Sequence, residues 1–372
     1  MEKKILHVDA NSYYGGDEAA LSLSELEAWA EKHSSPGGSR FTHAECVALS
    51  EEGGSGKKFS SARGYSIPLA PQILYTRSNV LPALVSSRTH SQLEFQAVGS
   101  WFLLNQPRDG SSASVVRVPG GREDIFKDDH LDLRSKRRLM KFLQFVATAS
   151  DDPSTWQASA QTSLPTYLEK DFNLAPASHA PLLALTLSQD APEKTTVGYS
   201  LPKIERHLKS IGVFGPGFGA VLPKWGGLAD IAQVACRACA VGGGVYVLNK
   251  GVEALHPPHE GGTDQEVELA GGERVTTKHV VAGSDELAGV TADAEAQATT
   301  KTYKSISVIS DPLAYIFPPV TEGGITPAAA IVITPARDNF EPPVYISAHS
   351  SDSGECPAGK CKTIPLPSHS HS

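Results

Sequence analysis

A chain of 372 residues with 40% hydrophobic and 20% charged residues has the composition of an ordinary folded protein, and its length predicts about two domains. A formal net charge of −8 with no long basic block argues against non-specific nucleic-acid binding, and no apolar run approaches the ~18 residues of a membrane span. Five cysteines in so long a chain make no secreted disulfide framework, and Met1 leads into a strand-like segment rather than a leader peptide, so the expected location is the cytosol.

Lys3 to Val8 (KKILHV) reads as a buried parallel strand with Asp9 at its carboxyl end. In a doubly wound dinucleotide fold an acidic residue there contacts a ribose, about twenty residues after a Gly-rich turn. No GxGxxG turn, first strand or first helix precedes it, so the chain is expected to lack the start of that fold. The missing strand would be central in its sheet, leaving neighbours with unpaired backbone groups. NSYYGG (11–16) makes a turn, and Ala20 to Lys32 an amphipathic helix. His33 to Ser39 and Ser50 to Ser61 are Ser/Gly-rich loops. A short strand is predicted over Tyr65 to Leu69, a helix over Val80 to Val85, a pair of strands over Gln92 to Leu104 and another strand over Ser114 to Val118.

Leu131 to Ala149 is the clearest amphipathic helix: Leu139, Phe142, Leu143 and Val146 repeat at i, i+3, i+4 and i+7, the stripe of a core-facing helix. Lys136, Arg137, Arg138 and Lys141 are expected to make its outer side basic. Helices follow over Leu164 to Phe172, Ser178 to Ser188 and Thr196 to Ile211, with Pro202 marking a kink or a helix start. Next comes a Gly/Pro-rich loop with aromatics expected at the surface: Phe214, Phe218 and Trp225. A helix over Leu228 to Val241 ends in three glycines, which tolerate a left-handed conformation, before a strand over Val245 to Leu248. Asp230, Gln233 and Arg237 share one helix face, a pattern that is ordinarily just a solvated stripe. Strands are predicted over Val252 to Leu255, Glu266 to Leu269, Val275 to Val281 and Ser305 to Ser310.

His256-Pro-Pro-His259 has no cysteine nearby and an extended turn between its rings, so no metal is expected there. Cys236 and Cys239 lie within a helix and lack the second pair of a structural zinc site, which makes them small buried residues. No catalytic triad, paired carboxylate or phosphate loop stands out. After CPAGK the chain ends in a short polar stretch, KTIPLPSHSHS, expected to be disordered from residue 363 and without a prenylation motif.

Several of these segments carry a resemblance. KKILHVDANSYYGG, GYSIPLAP, KRRLMKFLQF and GGLA…GGGVYVLNKGV together resemble the family of Rab escort proteins and Rab GDP-dissociation inhibitors. The last of them is shared with the wider flavin-dependent amine-oxidase-like superfamily. VPGGREDIF, IGVFGPGF and SSDSGECPAGK resemble the escort branch, the last in its fungal form. The likeness covers about Lys3 to Lys360 and is weak from Ser34 to Arg63; further family segments would continue past the C-terminus, so the chain is expected to be incomplete at both ends.

The resemblance implies an α/β fold: an FAD/NAD(P)-binding-like, multi-layer platform over 1–128 and 213–362, with an all-helical second domain over 129–212. It implies no cofactor and no catalysis by this chain. It implies instead an accessory component of Rab geranylgeranyl transferase, which binds GDP-bound Rab GTPases, presents them to the catalytic heterodimer and carries the lipidated product to membranes by transient contact. By residue matching the Rab surface falls on Tyr14, Asp230, Arg237, Val245 and Val247. Asp230 stands where the family has Glu, and the two valines replace a polar and a longer apolar residue of the inhibitor branch. Phe214, Phe218 and Trp225 fall on a mobile loop, and Leu139, Phe142, Leu143 and Val146 on helices that open around a geranylgeranyl chain. A dissociation inhibitor, a flavin-dependent amine-oxidase-like enzyme and a non-functional fragment are the alternatives.

Overall fold

A computed structural model describes residues 6–7, 20–35, 42–47, 61–69, 72–106, 112–120, 125, 131–247, 250–258, 262–282, 302–319, 323–336, 341–365 and 368–369. Tyr14, Asp9 and His259 lie outside them.

The chain begins with β1 (Leu6–His7), β2 (Ala20–Leu21), α1 (Leu23–Lys32), β3 (Ile67–Pro68), β4 (Leu74–Tyr75) and α2 (Val80–Ser86). Then β5 (Phe95–Asn105) runs for eleven residues as one strand, where the sequence suggested two. Gly99 near its middle gives clearance: a Cβ would sit 2.4 Å from Pro327 Cγ. One edge of β5 is shared, its first half pairing with β7 (Ala220–Pro223) and its second with β6 (Ser114–Arg117).

Along its other edge β5 pairs in parallel with β14 (Ala329–Thr334), which pairs antiparallel with β15 (Val344–Ser350), and that with β16 (Cys361–Pro365). The resulting eight-stranded sheet runs β13 (Ser307–Ile309), β16, β15, β14, β5, β7, β4, with β6 beside β5. Its centre, β14 and β15, carried no predicted strand. The expected disordered end is also corrected in part: β16 continues to Pro365 with Ile364 fully buried, and β17 (Ser368–His369) pairs with β12 (Thr302–Tyr303). A separate antiparallel sheet holds β9 (Val252–His256), β10 (Gln265–Leu269) and β11 (Arg274–Thr277), the last ending four residues short of its predicted limit.

Five helices cover one face of the large sheet: α3 (Leu133–Ala147), single-turn α4 (Ser154–Gln157), α5 (Leu164–Phe172), α6 (His179–Thr186) and α7 (Val197–Ser210). Asp132 caps α3 by accepting from the Ser135 amide at 2.7 Å. Pro202 lies inside α7, five residues past its start, so it does not begin the helix. Along β5 and β14, Trp101, Leu103, Ile331 and Ile333 point into these helices and meet Phe142, Leu168, Leu201 and Ile204. The alternate residues Phe102 and Ala330 bury the other face against Ile316 and Phe317. Helices and sheet thus share one continuous core, each buried aliphatic or aromatic side chain contributing about 1.5–3 kcal/mol.

Candidate partner-binding site

The segment from Ile211 to Tyr246 builds the candidate site. Its first loop folds over Phe218, whose carbonyl accepts from the Gly212 amide at 3.1 Å. Phe218 is buried, not exposed as expected, and packs against Leu81, Leu84 and Val221. Phe214 remains at the loop tip, 59% exposed. Residues 220–223 are not loop at all but buried β7. The expected mobile element is therefore split by a strand of the main sheet.

Trp225 follows in a left-handed conformation, φ +67°, and is half exposed. Its amide donates to the Ser353 carbonyl at 2.8 Å, and Lys224 Nζ lies 4.7 Å from its ring centre while pairing with Glu94. Gly354 sits so close beneath the indole that a Cβ would fall 2.4 Å from Trp225 Cδ1.

Gly227 then caps α8 (Leu228–Val241), which has the bounds that the sequence predicted. Leu228 and Ile231 pack it against α2 and β7. Asp230 is not a solvated member of a polar stripe: it is half-buried and reaches back to accept from the Gly226 amide at 3.0 Å. A carboxylate in the first turn also suits the positive end of the helix. Burial raises the Asp230 pKa against the lowering effect of that amide, and the nearby charge of Glu355 adds to the rise. Gln233 and Arg237 are exposed on the same face, Arg237 about 10 Å along the axis from Asp230.

The helix ends in Gly242, Gly243 (φ +93°) and Gly244, whose amide donates to the Cys239 carbonyl at 2.9 Å. β8 (Val245–Tyr246) pairs in parallel with β1, Val245 opposite Leu6, as a parallel N-terminal strand requires. Val245 and Val247 are half-buried. Cys236 and Cys239 form no disulfide and both hydrogen-bond the Tyr246 hydroxyl, tying α8 to β8; Cys236 is buried as expected, Cys239 only half-buried.

The helical layer differs from an open groove. Leu139, Phe142 and Val146 are buried in the shared core, with Leu143 packed beside them and the Phe172 ring edge-on to Phe142 at 5.0 Å. Lys136 is buried too, so the outer basic side of α3 is narrower than expected. Open space lies elsewhere: a cavity of about 220 Å³ between α5, α6 and the ends of β14 and β15, lined by Pro165, Ala180, Leu183, Ile333 and Tyr345 among others.

Sequence reasoning missed one cluster. On paired strands β15 and β16, His349 stands opposite Lys362. Glu355, on the turn between them, binds His349 Nδ1 at 2.6 Å and forms an ion pair with Lys362 through the same oxygen, Oε2. His349 Nε2 lies 2.8 Å from Ser347 Oγ. All four residues are at most 5% exposed. Burial would raise the Glu355 pKa, but His349 and Lys362 outweigh it and hold the carboxylate ionised. The signal available was a lone lysine among uncharged residues in CKTIP.

A profile described as GDP dissociation inhibitor (GDI) matches residues 1–361. The chain belongs to the GDI family. Among GDI-family relatives, "Rab proteins geranylgeranyltransferase component A" of Saccharomyces cerevisiae is 32% identical over 263 residues, 70% of this chain and 42% of that protein. "Rab escort protein 1" of Arabidopsis thaliana is 25% identical over 316 residues, 74% of this chain and 55% of that protein. The chain spans about two fifths of the length of the first fungal relatives. Among solved structures, a Rab GDI from Plasmodium falciparum superposes with a TM-score of 0.68 at 21% identity, covering 99% of this chain and 77% of that one. An oxidoreductase from Methanosarcina mazei follows with a TM-score of 0.52 at 13% identity, covering 99% of this chain and 79% of that one. The GDI fold here is therefore the FAD-binding-like α/β architecture that the sequence suggested.

Proposed function

We propose that this chain acts as a Rab escort protein, the accessory component of Rab geranylgeranyl transferase, rather than as an enzyme. The face formed by α8 and β8 grips a GDP-bound Rab GTPase and presents it to the catalytic heterodimer. The observation that carries this reading is Arg237, exposed on the helix whose first turn is anchored by Asp230. Tyr14, Val245 and Val247 complete the contact by family matching. In this scheme residues 1–128 and 213–362 form the platform, and 129–212 form the helical domain that receives the lipid and docks the transferase.

The lipid sets the physical need. Each CH₂ left in water costs about 0.8 kcal/mol, so an exposed twenty-carbon prenyl chain amounts to on the order of 10 kcal/mol. The closed stripe of Leu139, Phe142, Leu143 and Val146 would be one wall of its shelter. The cavity beside α6 offers the existing opening. Release to a membrane requires only transient contact, and cytoplasmic residence follows from this cycle.

The decisive measurement is capture of GDP-loaded, unprenylated Rab by the full-length form of this protein. Binding of Rab together with the transferase heterodimer supports the escort reading. Capture of prenylated Rab alone would make the protein a dissociation inhibitor, and no capture would remove both assignments. Arg237→Ala should weaken Rab binding about tenfold, about 1.4 kcal/mol, with an unchanged melting temperature, since exposed arginines often dominate such contacts. Unchanged affinity would count against the α8 face.

A further inference from the structure

The cluster of Ser347, His349, Glu355 and Lys362 lies outside every contact assigned above, yet it is joined to them by a short chain of contacts. Glu355 belongs to the turn from Ser351 to Lys360 that links β15 to β16. This turn is ordered from within: Ser353 Oγ donates to the Ser350 carbonyl at 2.8 Å, and Gly354 adopts φ +79°. It is ordered from below by the ion pair of Glu355 with Lys362 and the hydrogen bond from His349. Its outer side holds two other segments. The Ser353 carbonyl accepts from the Trp225 amide and the Glu355 carbonyl from the Ser66 amide, at 2.8 and 3.0 Å. Two residues beyond Trp225, Gly227 caps α8, and the Gly226 amide donates the hydrogen bond that Asp230 accepts.

We propose that Glu355, Lys362 and His349 are positioning residues for the Rab-binding face: they fix the 351–360 turn, and through Trp225 the turn fixes the first turn of α8. The inference rests on the Rab-binding reading of α8. A simple core would not need charge here, because a buried ion pair is commonly replaceable by apolar residues at no loss of stability, whereas removing one partner strands a charge. What the pair supplies is direction. Hydrogen bonds and an ion pair aim the turn, and with it the Ser353 carbonyl, in a way that apolar packing does not. Trp225 needs that aim, because its left-handed backbone is unfavourable for a bulky side chain and must be held by its surroundings.

The test uses the double variant Glu355→Leu/Lys362→Met, which removes both charges at similar volume, and Gly354→Ala, which leaves the charges intact but drives a methyl into the Trp225 ring. Three quantities are read on the whole chain: melting temperature, Trp225 emission (isolated by subtracting the same variants in a Trp225→Phe background) and affinity for GDP-loaded, unprenylated Rab. The double variant should melt within a few degrees of the parent, while Trp225 emission shifts to the red and affinity falls about tenfold or more. Gly354→Ala should reproduce the emission shift and the affinity loss. Parent-like emission and affinity in both variants would overturn the proposal, leaving the cluster a core element only. A shifted emission with parent-like affinity would also overturn it, since the turn would then move Trp225 without reaching the binding face. If the double variant does not fold, Gly354→Ala decides the same question by the same two readouts. Failure of the parent to bind Rab would instead reject the binding reading itself, and the emission of Trp225 would still report whether the cluster holds that loop.

Discussion

Phe142→Ala should destabilise the protein by about 3–5 kcal/mol, the usual range for emptying a buried aromatic site. The side chain has no solvent exposure and stands at the centre of the α3 stripe. Its ring meets Phe172 edge-on at 5.0 Å, and Leu164, Leu168, Val197 and Leu201 are buried in the same core. These neighbours come from α5 and α7, so the void could close only by shifting two helices that are themselves packed on the sheet. The core is continuous with Trp101 and Ile331, so the loss should appear as one cooperative transition rather than as separate melting of the helices. Urea unfolding monitored by both far-ultraviolet circular dichroism and tryptophan emission checks this. A loss under 1 kcal/mol would mean that the helices part easily around this stripe.

Acidification from pH 7 to pH 5 should remove about 2 kcal/mol through His207 alone. His207 sits on α7, where burial first, and the Arg206 guanidinium second, together lower its pKa to about 4. The Tyr75 hydroxyl is 3.4 Å from Nδ1, and the Trp101 ring lies edge-on at 4.8 Å. An unfolded chain titrates this group near 6.5, so below that pH the unfolded state binds the extra proton. The stabilisation is complete above 6.5 and is lost as the pH falls towards 4. His207 stands where the helical layer meets the sheet, beside the hydrogen bond from Thr76 Oγ1 to the Ser210 carbonyl at 2.6 Å. The comparison is the pH dependence of urea midpoints for the parent and His207→Gln. The parent should lose more stability than the variant between pH 7 and pH 5, and parallel curves would refute the assignment.

The helices were legible because their signals are local. α5 and α8 have the predicted bounds, set by Ser163 and Asn173 in one case and by flanking glycines in the other. The family was legible too, since its motifs are spread from one end of the chain to the other. The middle of the sheet was not. β14 is buried on both faces, so AAIVIT shows no alternation of polar and apolar residues, and β7 hides AVLP between a glycine-rich loop and Lys224. Phe218 looked exposed because its neighbours are glycines, yet those glycines let the loop wrap around it. Asp230 looked like one member of a stripe; only the fold brings Glu355 near it and commits its carboxylate to Gly226. The buried ions escaped notice because His349, Glu355 and Lys362 are joined by strand register and a turn, not by any spacing that sequence patterns reveal.

The parallel pairing of β5 with β14 joins Phe102 to Val332. A ribosome adding ~5–20 residues per second needs on the order of 10–50 s to extend the nascent chain from one to the other. During that interval the helices between them can form from nearby contacts and β6 and β7 can pair with one edge of β5, while its other edge waits for β14. Newly made chains should therefore depend on holding factors for much of their synthesis, and a translational pause before residue 329 would lengthen that exposure more than a pause after it.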